Sequence, residues 1–135
     1  MKREYTPEKI THLAPDEVFV FGSNLAGMHG GGAARVAHES YGAVWGKGVG
    51  HYGQSYAVPT MQGGVDTIRP YVDGFIEYAA HRLDLCFFVT RIGCGIAGFK
   101  DSDIAPLFLK AYNMRNVVLP KEFCEVIEFM IKNNR

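Results

Sequence analysis

The sequence lacks a long hydrophobic run, a net charge, and the even set of cysteines that a disulfide framework needs. No apolar stretch approaches the roughly 20 residues that cross a bilayer. The opening stretch MKREYTPEKI has no apolar signal-peptide core, so no membrane association is expected. Fourteen Lys+Arg balance fourteen Asp+Glu. That excludes nucleic-acid binding by bulk charge and leaves only a local basic patch for such a role. Cys86, Cys94 and Cys124 are odd in number and lack metal-ligand spacing. Neither a disulfide scaffold nor a metal site is expected, and the pattern fits a reducing, cytoplasmic compartment. Internal repeats, low-complexity stretches and linkers are also missing. What remains is 135 residues, 47% of them hydrophobic, which suits a single domain over 1–135 that buries its core without staples. Glycine is the abundant residue: there are 16, and 12 of them fall between Gly22 and Gly64.

Residues 1–16 are polar and carry Pro7 and Pro15, so they read as an irregular lead-in. Glu17–Phe21 is a continuous β-rich run, as a strand buried on both faces would be. Gly22-Ser23-Asn24 ends it, a glycine-rich loop runs from Leu25 to Gly32, and a helix follows over Ala33–Tyr41, stopped by Gly42. Ala43–Gly53 reads as a loop, with the chemistry of a mobile flap. A short strand over Gln54–Pro59 precedes a helix over Ile68–Arg82, with Pro70 in its first turn. Leu85–Thr90 is a second buried strand, and Arg91–Phe99 a second glycine loop. Asp101 or Ser102 then caps a helix to about Tyr112. Asn116–Leu119 is a strand ended by Pro120, and Glu122–Lys132 is the closing helix. Strands buried on both faces and joined by helices imply an α/β fold, a three-layer α/β/α sandwich with a mostly parallel central sheet.

In such a sheet, ligands bind beyond the carboxyl ends of the strands. Both glycine loops lie there, each opening onto a helix. Free backbone N–H groups and a positive helix end suit a phosphate, and absent side chains let it approach. Two such loops side by side suggest a diphosphate. Neither ends in Gly-Lys-Ser/Thr, so neither is a P-loop. The candidate ligand-binding residues are Gly22, Ser23, Asn24, Gly30, Gly31 and Gly32 from the first loop. From the second they are Arg91, Gly93, Cys94, Gly95, Ile96, Ala97, Gly98 and Phe99. Asn24 is placed either to bond a ligand hydroxyl or activate a water, or to close the strand-end turn. His29 is placed to bond a phosphate or act as acid or base, or is a plain loop histidine. Arg91 serves a phosphate or pairs with a local carboxylate. Cys94 sits in a loop able to lower a thiol pKa, yet no histidine is tied to it by sequence.

These residues carry a resemblance. Val20-Phe21-Gly22-Ser23-Asn24 followed by Gly30-Gly31-Gly32 resembles the macrodomain pattern of strand, Asn-Ala-Ala-Asn and glycine run. Gly95-Ile96-Ala97-Gly98-Phe99 resembles that family's Gly-Val-Tyr-Gly-Tyr/Phe loop. Arg91-Ile92-Gly93-Cys94-Gly95 is similar to the Arg-Ile-Gly-Cys-Gly of the terminal ADP-ribose protein glycohydrolase branch, and His29–Ala34 to that branch's Met-Gly-Ala-Gly-Ile-Ala. The stretch Val18–Ala34 also looks like small macro-like bacterial and phage proteins of unassigned function. The resemblance covers roughly Val18–Phe129.

The resemblance implies an ADP-ribose pocket with no cofactor. In it, Asn24 contacts the distal ribose, Gly30–Gly32 line that ribose and the diphosphate, Gly95–Gly98 wrap the diphosphate, and Phe99 packs on the distal ribose. The partner would be a small ADP-ribose-class ligand or an ADP-ribosylated macromolecule. The sequence departs from the family in its chemistry. Ala33-Ala34-Arg35 stand where a hydrolytic branch has an Asp after the glycine run. Pro59-Thr60-Met61 and Ile96-Ala97 stand where the glycohydrolase branch has its Lys and Asp. The adenine-holding Gly-Asp-Ile-Thr has only a faint echo at Ile10-Thr11, and Asp16 is a poor substitute. Binding without turnover is therefore the leading expectation. The alternatives are a hydrolase using Asn24 and His29, either an ADP-ribosyl-protein glycohydrolase or an ADP-ribose 1″-phosphate phosphatase, and an interaction domain with a vestigial pocket.

Overall fold

A computed structural model describes residues 3–133. Its elements alternate along the chain: β1 (Glu17–Ser23), α1 (Gly32–Ser40), β2 (Gly50–Tyr52), β3 (Ser55–Pro59), α2 (Val65–Ala80), β4 (Cys86–Val89), α3 (Asp101–Ile104) continued by a 3-10 helix (Ala105–Ala111), β5 (Val117–Val118) and α4 (Lys121–Asn133). The five strands form one sheet in the order β2-β3-β1-β4-β5. β1 pairs in parallel with β3 (Phe19 opposite Ser55) and with β4 (Val18 opposite Phe87), and β4 pairs in parallel with β5. Only β2 runs antiparallel, against β3. The fold is thus α/β with a mixed, mostly parallel sheet.

Alternation along the strands sends apolar residues to two faces. Val18, Val20, Tyr56, Val58, Phe87 and Val89 join the larger cluster, with Ile68, Val72 and Phe75 of α2, Phe108 of the 3-10 helix, and Phe123 and Ile127 of α4. Phe19, Phe21 and Ala57 join a smaller one with Ala34, Ala37 and Tyr41, against which Ile10 and Leu13 of the lead-in pack. The central strands are covered on both sides, which is why β1 reads as an unbroken apolar run.

Residues 3–16 form no helix or strand, as expected, but they are anchored. The Thr6 N–H donates to Leu119 O (3.0 Å) and its hydroxyl to Val118 O (3.0 Å), so the lead-in closes over β5. Three other expectations need correction. The segment from Ala43 to Gly53 contains strand β2, because pairing with Ser55–Ala57 recruits residues whose own pattern is loop-like. α2 begins at Val65 rather than Ile68. Gly64 is extended at its N-cap, Thr67 Oγ1 donates to Gly64 O (2.6 Å), and Asp66 sits in the first turn, where a carboxylate suits the helix dipole. Pro70 is therefore inside the helix, on its exposed side, where the carbonyl left without its backbone donor faces solvent rather than the core. The helix after the second glycine loop is capped at Lys100, whose N–H donates to the Asp103 carboxylate (3.0 Å), and it tightens to 3-10 geometry from Ala105.

Candidate ligand-binding cleft

α1 follows β1 and packs on one face of the sheet, while α3 and the 3-10 helix follow β4 and pack on the other. Chains leaving adjacent parallel strands in opposite directions open a crevice at the strands' carboxyl ends. A cleft of about 240 Å³ lies there. Gly22, Ser23, Asn24, Gly31 and Gly32 line one side, and Arg91, Gly93, Gly95, Ile96 and Ala97 the other. The N-terminus of α1 forms part of the wall through Gly32, Ala33 and Ala34. Its N-cap Gly31 makes no side-chain cap and its first turn has no acidic residue, so the first N–H groups of a nine-residue helix stay open to an anion.

The two glycine loops meet through Ile96. Its Cδ1 lies 3.5 Å from where a Cβ would sit on Gly31 and on Gly32, although Ile96 is 75% exposed. A Cβ at either glycine would meet Ile96 in ordinary van der Waals contact, and a longer side chain there would occupy the cleft mouth.

Five sequence-predicted residues do not line this cleft. Gly30 is exposed with open space around it. Gly98 makes a turn, donating its N–H to Gly95 O (3.0 Å). Phe99 lies beneath the loop: its N–H donates to Gly93 O (2.8 Å), and its ring packs on the larger core. Cys94 also packs toward that core, and burial together with the charge of Asp101 pushes its thiol up to about 12, which disfavours the thiolate. His29 is 1% exposed. Its Nε2 reaches Val44 O (3.0 Å) and Lys47 O (3.2 Å), so a hydrogen sits there, and its ring meets Phe21 edge-on. Nδ1 is buried without a partner. His29 holds the loops together.

Asn24 lines the cleft, but its amide serves the loop: Nδ2 donates to Met28 O (3.0 Å), and Oδ1 accepts from Met28 N–H (2.8 Å). Arg91 pairs with a carboxylate, donating from Nε and Nη2 to the two oxygens of Asp101 (3.0 and 2.8 Å).

The segment from Ala43 to Gly53 packs against the back of the first glycine loop as a buttress, and none of it lines the cleft. Gly46 N–H donates to Gly27 O (2.9 Å), and the Ser23 hydroxyl donates to Gly48 O. A Cβ on Gly48 would overlap the Asn24 carbonyl oxygen, and one on Gly27 would overlap the Lys47 backbone. Glycine is needed here for backbone-to-backbone packing.

Sequence reasoning missed Thr60, Met61, Thr90 and Met28 as lining residues. Thr60 and Thr90 directly follow β3 and β4, so the carboxyl-end rule that located the glycine loops would have found them too. It also missed a larger adjoining cavity of about 550 Å³ between the lead-in, α1 and the start of α4, lined by Thr6, Ile10, Phe19, Val36, Pro120 and Glu122 among others. The two cavities share Ala33, Thr90 and Arg91. No linear motif marks the second cavity, because one wall is the lead-in folded back across the sheet.

Among the described residues no cluster of His, Cys, Asp or Glu could hold a metal ion, and no helix is long and apolar enough to cross a membrane. Fold and cleft together define an α/β protein with a crevice at the switch point of its sheet. No protein-family model, curated protein or solved structure matches the chain.

Proposed function

We propose that this chain binds ADP-ribose or a related ADP-ribose-containing nucleotide, in a three-layer macrodomain-like arrangement, and does so without turnover. The observation that carries the reading is the pair of joined cavities. The smaller is walled by two glycine loops and an uncapped helix N-terminus, and the larger is mostly apolar. Together they suit a small-molecule pocket of ~300–1,000 Å³. The diphosphate would take the glycine-loop amides and the end of α1, with the distal ribose toward Asn24 and Thr60. The base would lie in the larger cavity, where Glu122 and Thr6 supply polar edges to an apolar floor of Ile10, Phe19 and Val36.

The hydrolase reading is weaker. Among the described residues no carboxylate or imidazole lines the glycine-loop cleft, His29 is buried away from it, and the Asn24 amide is already paired at both atoms. Positioned acid and base groups are what turnover at the ribose would require.

Isothermal titration with ADP-ribose, followed by product analysis, tests this. Saturable binding with unchanged ligand is expected. Gly31→Val should weaken binding at least about tenfold, or ~1.4 kcal/mol, while leaving the melting temperature nearly unchanged. Gly31 has φ −155°, which valine adopts freely, and only Ile96 Cδ1 lies near the new Cβ. No binding by the wild type would overturn the reading, and released ribose products would restore the hydrolase.

A further inference from the structure

We infer that Arg91 recognises the anionic part of the ligand and that Asp101 holds it in reserve, so that ligand phosphate and Asp101 compete for one guanidinium. The inference rests on the reading of the cleft as a nucleotide diphosphate site. Among the described residues three line both cavities, Ala33, Thr90 and Arg91, and only Arg91 is charged. Among the described residues it is also the only charged one lining the smaller cleft. A ligand spanning the two cavities must pass it.

The guanidinium is bound on one edge and open on the other. Nε and Nη2 donate to Asp101, while Nη1 has no protein partner among the described residues. The pair is accessible, with the Arg91 side chain 49% exposed and that of Asp101 24%. An ion pair this exposed adds little to stability, and a phosphate offers the same two-oxygen geometry as the carboxylate it would replace.

The pair has a second consequence. Arg91 precedes the second glycine loop and Asp101 follows it, so the bridge clasps the base of the loop that faces the diphosphate. Exchange of partners would release that clasp as the ligand enters. Asp101 thereby lowers affinity while setting the shape of the empty loop.

The test uses the full chain, ADP-ribose and inorganic pyrophosphate as probes, and four proteins: wild type, Arg91→Gln, Asp101→Asn and the double variant. Arg91→Gln should weaken binding of both probes at least tenfold. Asp101→Asn should tighten it several-fold, and that gain should vanish in the Arg91→Gln background. If Asp101→Asn weakens binding as Arg91→Gln does, the bridge is only a clasp and the inference falls. A gain that persists without Arg91 reports bulk charge and also overturns it. Unchanged affinity in Arg91→Gln overturns the inference while the nucleotide reading stands, whereas absent wild-type binding overturns both. If Arg91→Gln does not fold, Arg91→Lys keeps the charge and loses the fork. Its affinity should fall, and wild-type affinity there would sink the idea.

Discussion

Cys94 sits between two glycines in a loop that opens onto a helix, surroundings that in sequence suit an activated thiol. Its pKa is instead pushed up to about 12, first by burial and then by the negative charge of Asp101. It should resist a thiol-specific reagent at neutral pH, with a modification rate far below that of an unfolded control. The linkage follows from the direction of the shift. A thiol whose pKa is higher folded than unfolded binds more protons when folded. Its contribution is intact below the ordinary value of 9.0 and is lost as pH rises toward 12. Denaturation at about pH 8 and about pH 10.5 should show a smaller alkaline loss in Cys94→Ala than in the wild type; equal losses would count against it. Asn24 and His29 teach the same lesson. Their presence beside the glycine run is legible in sequence, but the direction of each side chain is not. Asn24 closes its own turn through Met28, and His29 bonds carbonyls 15 and 18 residues away.

Elements with strong local signals were the legible ones. β1, β3 and β4 are short apolar runs bounded by glycine, proline or a loop, and α1 follows directly from its glycine run. β2 has no such pattern and exists because β3 offers it an edge. The buttress from Ala43 to Gly53 was invisible as a buttress, since glycines that permit close backbone packing look, in sequence, like glycines that permit motion. The lead-in is the other element whose role is tertiary. Its hold on β5 depends on Thr6, which is 8% exposed. Thr6→Val keeps the shape and the backbone bond to Leu119 O but leaves Val118 O without the hydroxyl. That should cost about 1 kcal/mol, measurable by chemical denaturation. Because Thr6 also lines the larger cavity, ADP-ribose affinity should fall with it. Unchanged stability and affinity would mean that the lead-in is not a working wall.

At the scale of the whole molecule, two clusters of unequal size hold the sheet, and Phe75 is central to the larger one. It is fully buried, and its ring centroid lies 5.1 Å from that of Tyr56, 5.5 Å from Phe87 and 6.4 Å from Phe108. One side chain thus joins α2 to β3, β4 and the 3-10 helix. Phe75→Ala should cost about 3–5 kcal/mol, a large share of the ~5–15 kcal/mol that holds a typical domain together. Urea denaturation would measure it, and a loss under about 1 kcal/mol would mean that the core closes around the gap. The sequence by itself determined the alternation of strands and helices, the two-sided burial of the central strands, and the placing of both glycine loops at strand ends. Each of these follows from local pattern and the chemistry of consecutive residues. Only the tertiary structure decided that His29 turns inward, that Arg91 meets Asp101 at the waist of two cavities, and that a second cavity exists at all. Those outcomes rest on groups far apart in the chain: Thr6 and Val118, which seat the wall of that cavity, are 112 positions apart. No window of neighbouring residues carries the information that they touch.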